Sequence, residues 1–267
     1  MCSKTKTDYN DTMKSIQTGE QSFRKLIERG SVYVDKTRYI RMLLDWEDTF
    51  YFAARPRRFG KSLFCSTLEE FFKGNKELFE GLYIYDKHDF EPYPVMHFNF
   101  ANISSVTYER FLNSFIKAIV SEAAENGVDI KPCDDPAELF QKALAGIYEK
   151  TGKHVVIIID EYDNNITSNL NNWELAEKIR RDISDFYKRI KNNSQYIHFF
   201  FLTGVVRLSH ISIFSEMNNL TDLSMSKDFA GAFGYTDEEL DEYFGEGIDE
   251  YLEANPGKYE SRKSFRI

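Results

Sequence analysis

Residues 49–64 read TFYFAARPRRFGKSLF, and the main features of the fold can be predicted from this segment. Its first part, TFYFAA, is short, apolar and rich in aromatic residues, which predicts a buried strand. Its last part opens on Gly60-Lys61-Ser62 and continues as an apolar helical pattern that ends near Gly74. A buried strand, a basic turn and a helix that opens on Gly-Lys-Ser predict a loop that binds an anion through backbone N–H groups at a helix N-terminus.

The turn departs from the usual form of such a loop, which has a glycine where this chain has Arg55. A side chain at that position restricts the backbone at the loop entry, and Pro56 disfavours helix at the residue before it. We expect the arginines of the turn, Arg55, Arg57 and Arg58, to offset the charge of the anion with guanidinium donors. The alternative interpretation is a solvated basic turn.

Two later apolar stretches also predict strands that end in polar residues. VVIIIDEYD (155–163) places Asp160 and Glu161 at a strand end, because burying unpaired charges costs several kcal/mol. IHFFFLT (197–203) ends at Thr203. Ligands of an open parallel sheet bind beyond the carboxyl ends of its strands, so we expect these side chains to lie near Lys61. The alternative is that the two acids and the threonine only terminate their strands.

The strands alternate with helical patterns along the chain. PVMHFNF (94–100) is another predicted strand, NNLTDLSMS (218–226) is a candidate for a fifth, and TDEELDEYF (236–244) predicts a last helix. This alternation predicts an α/β fold with a mainly parallel central sheet covered on both faces. With no internal repeat or Gly/Ser-rich linker, we predict a flexible lead-in at 1–19, one domain at 20–245 and an acidic, then basic, tail at 246–267.

Composition excludes several classes of protein. The formal charge of −9 argues against a uniformly basic nucleic-acid surface, although a local basic cleft remains compatible with it. The 3 cysteines are far apart, which excludes a disulfide framework and a cysteine-rich zinc site and suits a reducing compartment. Apolar runs are far shorter than the roughly 20 residues that span a bilayer, and the first residues lack a secretory pattern. We predict a cytoplasmic protein with no membrane partner.

The loop residues have expected roles if the anion is the phosphate chain of a nucleotide. Lys61 can reach the outer phosphates and the Ser62 hydroxyl can ligate Mg²⁺. Gly60 allows the backbone to approach the ligand closely. The predicted nucleotide contacts are Arg57, Arg58, Phe59, Gly60, Lys61, Ser62 and Leu63.

The residues at the other strand ends complete the predicted site. Asp160 is expected to orient the metal, and Glu161 stands where a base can polarise an attacking water. Thr203 is expected to bond that water or the outer phosphate, so we count it with Glu161 and Lys61 as catalytic. Arg207 is a candidate arginine finger that reaches a phosphate of a neighbouring subunit or of its own domain; the alternative is a surface ion pair.

Together these motifs make the chain resemble the predicted AAA-ATPase family of prokaryotes over about residues 20–245. The resemblance is carried by RPRRFGKS and VIIIDEYD and by the ordered blocks YVDKT (33–37), YPVMHFNF (93–100), LTGV (202–205), FSEMNNLTD (214–222) and FGYTDEEL (233–240). It implies a P-loop NTPase of AAA type, a three-layer α/β sandwich with an additional catalytic glutamate, and ATP and Mg²⁺ as ligands. It also implies the roles given above for Lys61, Ser62, Asp160 and Glu161.

The resemblance also bears on partners. Family members commonly continue into a nuclease-like domain with a PD-(D/E)xK core, and the only Asp-x-Lys here, Asp129 to Lys131, lies in a turn-rich segment. We therefore expect no nuclease activity and a tail truncated relative to the family. The predicted function is Mg-dependent ATP binding and hydrolysis that drives or regulates a partner module, either a homo-oligomer or a C-terminal nuclease-like module. The alternatives are a nucleotide-gated adaptor without turnover and a DNA-acting ATPase.

Overall fold

The computed structural model describes residues 15–17, 19–46, 48–206, 219–259 and 261–265. Its centre is a parallel sheet of 5 strands in the order β2-β3-β4-β1-β5. The strands are β1 Phe50–Ala54, β2 Val95–Asn99, β3 Val155–Asp160, β4 Ile197–Gly204 and β5 Thr221–Asp222. The prediction of an α/β fold around a parallel sheet is confirmed.

Helices fill the connections between the strands, as parallel pairing requires. In the described part of the chain they are α1 Phe23–Glu28, α2 Thr37–Asp45, α3 Lys61–Phe72, α4 Tyr108–Glu125, α5 Pro136–Thr151, α6 Asn164–Thr167, α7 Trp173–Asn192, α8 Asp237–Ala254 and α9 Arg262–Phe265. Short 3₁₀ turns lie at Lys76–Phe79, Phe100–Asn102 and Ser194–Tyr196. No helix among the described residues is both long enough and apolar enough to span a bilayer.

The sheet buries both of its faces, which explains why its strands are apolar without alternation. Because successive side chains of a strand point to opposite faces, Phe52 and Phe200 join a core cluster with α4, α5 and α7. Tyr51 and Phe201 join the other cluster, with α1, α2 and α3. Helices therefore flank the sheet on both sides.

The helix ends follow the sequence signals closely. Asp135 caps α5 by accepting hydrogen bonds from two backbone N–H groups of its first turn, and Pro136 occupies the first helical position. Thr236 and Glu239 form a reciprocal capping box at the start of α8. The predicted boundary between residues 245 and 246 falls within α8, which continues to Ala254.

The register of the sheet brings the ends of four strands to one edge. Asn99 at the end of β2 pairs with Asp160 at the end of β3, and Ala53 near the end of β1 pairs with Thr203 near the end of β4. The loop from β1 to α3 leaves from this edge. The same edge therefore carries the loop, the two acids and the threonine that the sequence singled out.

Candidate functional site

The loop between β1 and α3, residues 55–60, leads into a helix start that no side chain caps. Gly60 is the N-cap of α3, with a left-handed φ of 80°, and makes no side-chain cap hydrogen bond. Arg58 also has a positive φ, 67°, which is uncommon for a residue with a side chain. The first N–H groups of a helix have no partner within the helix. The N-terminus of α3 can thus bind an anion.

Lys61 begins α3 and lies beneath the loop. Its side chain is buried, with the residue only 4% exposed, and its Nζ donates a hydrogen bond of 3.0 Å to the carbonyl oxygen of Pro56. The loop carbonyl holds the ammonium inside the loop instead of leaving it in solvent. Ser62 and Leu63 follow in the first turn of α3, both half-buried.

Asp160 is a buried acid whose hydrogen bonding is incomplete. It is 1% exposed, and its Oδ1 accepts a hydrogen bond of 2.5 Å from the hydroxyl of Thr203. Among the described residues its Oδ2 has no donor. A buried acceptor without a partner costs about 1–3 kcal/mol. Such an atom fits a hard cation, which prefers carboxylate oxygens. The Thr203 hydroxyl is engaged by Asp160, and its contact with water or phosphate stays a prediction.

Lys61 and Asp160 both lie close enough to Cys65 to influence its thiol. Cys65 is one turn after Lys61 on α3 and is fully buried. Burial raises the pKa of its thiol well above the ordinary value, and the negative charge of Asp160 raises it further, while Thr203 and Lys61 act in the opposite direction. The sheet register and the Thr203–Asp160 hydrogen bond place these two residues at one sheet edge, and Lys61 begins the helix that follows the loop from this edge. The roles predicted for the three residues stay predictions.

Glu161 follows directly and has a strained backbone. Its φ of 54° lies in the left-handed region, which costs on the order of 1–3 kcal/mol for such residues. Partial burial raises the pKa of its carboxyl above the ordinary value, with a further increase from Asp160; Lys61 and Arg57 oppose the increase. Glu161 is thus a carboxyl of raised pKa beside two cations of the loop.

The rest of the DEYD motif locks the end of β3 to the end of β4. The carboxylate of Asp163, 2% exposed, accepts hydrogen bonds of 3.2 Å from the N–H groups of Val205 and Val206. The Tyr162 hydroxyl donates one of 2.9 Å to the Val206 carbonyl. At Gly204 an added Cβ would lie 2.4 Å from the Tyr162 ring. This lock holds Glu161 in place.

Sequence analysis did not single out Tyr162, Asp163 or Gly204. The signal available was the second acid of DEYD and the glycine of LTGV, each directly beside a residue that was singled out. Their importance depends on contacts between segments about forty residues apart, which a single sequence does not display.

A cavity of about 230 Å³ opens beside Glu161. It lies on the flank of the loop that faces β3 and β4, so Arg57 and Glu161 share a solvent-accessible space. Its lining combines charged, amide and small apolar side chains, namely Arg57, Glu161, Asp163, Asn164, Thr167, Val205 and Val206.

Arg55 lies on the opposite flank, which corrects one expectation. Its Nη1 donates to the carbonyl oxygens of Ala54, at 3.0 Å, and of Ser224, and its guanidinium lies over the Phe233 ring. Ser224 and Phe233 follow β5, on the side of β1 away from β3 and β4. The expectation that Arg55 faces the same anion as Arg57 is therefore wrong, because the carbonyls of Ala54, at the end of β1, and of Ser224, beyond β5, bind its guanidinium.

The remaining predicted contacts differ in their surroundings. Arg57, Arg58 and Phe59 are exposed in the loop, and the carbonyl of Phe59 accepts a 2.9 Å hydrogen bond from the N–H of Gly234. Arg207, the candidate arginine finger, lies outside the described residues.

Comparisons with known proteins show which family the chain is related to. Residues 17–214 match the family described as "Predicted AAA-ATPase". A protein of Azotobacter chroococcum mcd 1, "Uncharacterized protein in vnfD 5'region", is 34% identical over 233 residues, which are 86% of this chain and 45% of that protein. The chain thus spans less than half the length of this relative. No solved structure gives a significant match.

Proposed function

The chain belongs to the predicted AAA-ATPase family, and on that premise we propose that it binds Mg²⁺-ATP at the edge described above and hydrolyses it. The observation that carries this proposal is that the helix start at Lys61 and the acids Asp160 and Glu161 lie at the same edge of the sheet. These residues are about a hundred positions apart in sequence and come from the two motifs that the reaction needs.

The loop and the start of α3 bind the phosphate chain in this proposal. Uncapped N–H groups at the helix N-terminus attract an anion, and the helix dipole adds to that attraction. Lys61 exchanges the Pro56 carbonyl, its partner at 3.0 Å, for a phosphate oxygen. Arg57, exposed on the same flank as Glu161, adds a charge-assisted contact.

The residues present fit a magnesium ion. Asp160 offers a buried carboxylate oxygen, Oδ2, that has no donor among the described residues, and Ser62 offers a hydroxyl in the first turn of α3. Mg²⁺ takes oxygen ligands and keeps several waters, and it neutralises charge on the transferring phosphate. Thr203 fixes the orientation of Asp160 through Oδ1.

Glu161 acts as the general base for the attacking water. Burial raises the pKa of its carboxyl, with the neighbouring Asp160 adding to the effect. A more basic carboxylate accepts a proton more readily, provided that it is ionised at the working pH. The hydrogen bonds of Tyr162 and Asp163 to the end of β4 keep Glu161 in its left-handed conformation.

The strand order supports the AAA-type assignment that the resemblance implies. β4 lies between β1, which leads into the loop, and β3, which ends in the two acids. One strand between these two is the order we expect for a P-loop ATPase with an additional catalytic glutamate. The Glu161 side chain then approaches the loop from across β4.

Hydrolysis is proposed to drive or regulate a partner module. The relative from Azotobacter is more than twice as long as its matched part, which leaves room for such a module in related chains. A homo-oligomer or a C-terminal nuclease-like module fits this role. A DNA-acting ATPase is less favoured because the chain carries a formal charge of −9.

The direct test is phosphate release from Mg²⁺-ATP by the purified chain, with nucleotide affinity measured in parallel by calorimetry. We expect Lys61→Ala to weaken affinity at least tenfold. Glu161→Gln should keep affinity and lower kcat by about 10²–10⁴-fold, as for the loss of a general base. Glu109→Gln, an exposed acid in the first turn of α4, is the matched control and should behave as the native chain.

The outcomes separate the candidate functions. Unchanged turnover in both Lys61→Ala and Glu161→Gln rejects the ATPase assignment. Tight binding of Mg²⁺-ATP by the native chain with no turnover at any protein concentration favours a nucleotide-gated adaptor instead. Removal of Mg²⁺ with a chelator should abolish turnover, and turnover that persists contradicts the metal assignment.

A further inference from the structure

The flank of the loop beyond β5 is fastened at both ends to one segment, residues 223–234, here called the strap. At the loop entry the N–H of Ala54 donates a 2.8 Å hydrogen bond to the Ser224 hydroxyl, and Arg55 donates to the Ser224 carbonyl. At the loop exit the N–H of Gly234 donates a 2.9 Å hydrogen bond to the Phe59 carbonyl. The strap thus borders the whole loop.

Arg55 connects the strap to the opposite strand as well. Its backbone N–H donates a 3.1 Å hydrogen bond to the carbonyl of Gly204 at the end of β4. Its side chain extends the other way, to Ser224 and over the Phe233 ring at 5.7 Å. One residue therefore links the ends of β4 and β1 with the strap.

This arrangement gives the arginine at the loop's first position a physical purpose. A glycine there has no side chain and makes none of the strap contacts. A guanidinium has several donors in a fixed plane and stacks on aromatic rings. It can satisfy the carbonyls of Ala54 and Ser224 at once, while its face packs on Phe233.

We propose that Arg55 is a positioning residue for the nucleotide loop, holding the loop entry between β4 and the strap without touching the phosphates. The proposal rests on the proposed function, since it assumes that the loop binds a nucleotide. It differs in kind from the role of Arg57, which lies on the flank of Glu161 and the cavity. Loss of Arg55 displaces the backbone N–H groups of the loop. It therefore weakens the binding of ATP and of ADP by the same factor.

The test compares Arg55→Met with Arg57→Met, using Mg²⁺-ATP and Mg²⁺-ADP as probes in calorimetry. Arg55→Met should raise both dissociation constants by about tenfold and by the same factor, because the shared loop is displaced. Arg57→Met should raise the dissociation constant of ATP more than that of ADP. Lys227→Met removes one positive charge from an exposed position on the strap and should change neither constant.

Two further variants keep the proposal testable if Arg55→Met folds poorly. Arg55→Lys keeps one donor for the Ser224 carbonyl and should restore part of the affinity. Ser224→Ala removes the acceptor of the hydrogen bond from the Ala54 N–H. It should weaken the affinity for both nucleotides by about two- to threefold. A purely structural role would lower the unfolding midpoint without this equal change for ATP and ADP.

Native affinity of Arg55→Met for both probes would overturn the proposal, and so would a loss confined to ATP. Amide hydrogen exchange without nucleotide is an independent readout. Arg55→Met should accelerate exchange at residues 57–60 and 224–234, and Lys227→Met should not. If the native chain binds neither nucleotide, the proposed function fails, and the exchange data alone decide whether Arg55 holds the loop.

Discussion

The two flanks of the loop at residues 55–60 differ in how completely their polar groups are bonded. On the flank beyond β5, Arg55, Ser224 and Gly234 all have partners. On the flank of β3 and β4, Asp160 keeps an oxygen without a donor among the described residues, and Glu161 has a left-handed backbone. Unsatisfied groups and strain concentrate at functional sites. This difference supports the proposal that the flank beyond β5 holds the loop in place and that the flank of β3 and β4 is where hydrolysis takes place.

The largest expected effect concerns two buried acids of the DEYD motif, Asp160 and Asp163. Asp160→Asn should lower ATP turnover by about 100-fold or more, because it removes a charged metal ligand. It should also raise the free energy of unfolding by about 1 kcal/mol, because burying an uncharged amide costs less than burying a carboxylate whose Oδ2 has no donor. Chemical denaturation without nucleotide measures the stability.

Asp163→Asn is the matched control for that prediction. Asp163 is equally buried, but both of its oxygens accept backbone hydrogen bonds. The amide nitrogen of the new asparagine cannot accept these hydrogen bonds. The free energy of unfolding should therefore fall by about 2 kcal/mol. Stability changes of the same sign in both variants would show that the bonding of the two acids is not the distinguishing feature.

The next prediction concerns the packing between the ends of β3 and β4. Gly204→Ala should destabilise the protein by about 2–3 kcal/mol, because the new Cβ would lie 2.4 Å from the Tyr162 ring. Gly152→Ala, at a left-handed position with nothing within 4 Å of the added Cβ, should cost only about 1 kcal/mol. Equal thermal shifts in the two variants would contradict the tight lock between β3 and β4.

A third acid, the half-buried Glu122, lies away from the loop, and its protonation changes near neutral pH. The carboxylate of Glu122 on α4 accepts a 2.8 Å hydrogen bond from the backbone N–H of His97. Burial raises the pKa of this carboxyl from 4.5 to about 7. The folded state therefore binds this proton more tightly than the unfolded state. The contribution of Glu122 to stability falls as the pH rises from about 5 to about 7, and the full cost is present above that range.

Replacement of that acid should reveal the cost directly. Glu122→Gln should match the native stability near pH 5 and exceed it by about 1–3 kcal/mol near pH 8. The His97–Glu69 pair, with Nδ1 and Oε2 2.7 Å apart, is present in both proteins, and the charge of Glu122 adds to the raised pKa of His97, so the measured difference includes that coupling. Denaturant unfolding across this pH range is the measurement, with Glu109→Gln as the exposed control. A difference that does not change with pH would mean that Glu122 is not protonated near neutrality.

The smallest expected effect concerns the contact between the loop exit and the strap, on the flank beyond β5. Gly234 has φ 73°, and an added Cβ would lie 3.3 Å from the Phe59 ring; Gly30 has φ 62° and open space. Alanine at either position should cost about 1 kcal/mol through its backbone. Only Gly234→Ala should also weaken nucleotide binding, by about two- to threefold, because it displaces the loop exit. Equal affinities in calorimetry would argue against the strap.

Much of the fold was predictable because its signals are local. Buried strands such as VVIIID are apolar on both faces only in a covered parallel sheet, and the structure has that strand at Val155–Asp160. The helix start at Gly60-Lys61 follows from one glycine after a strand. The boundary near residue 245 was less predictable, since Arg262 returns to pair with Asp241 and Asp249 of α8 through contacts distant in sequence.

Short segments of the sequence were enough to predict the strands of the sheet, the polar residues Asp160, Glu161 and Thr203 at strand ends, and the helix that opens near Lys61, because periodicity and strand ends are local properties. The flank that Arg55 and Arg57 each face follows from the folded chain alone. Arg55 and Arg57 are two residues apart and chemically identical, and their directions depend on the Ser224 carbonyl, 169 residues away, and on the cavity beside Glu161. Side-chain direction in a loop is set by the partners that packing supplies, and those partners come from the whole chain.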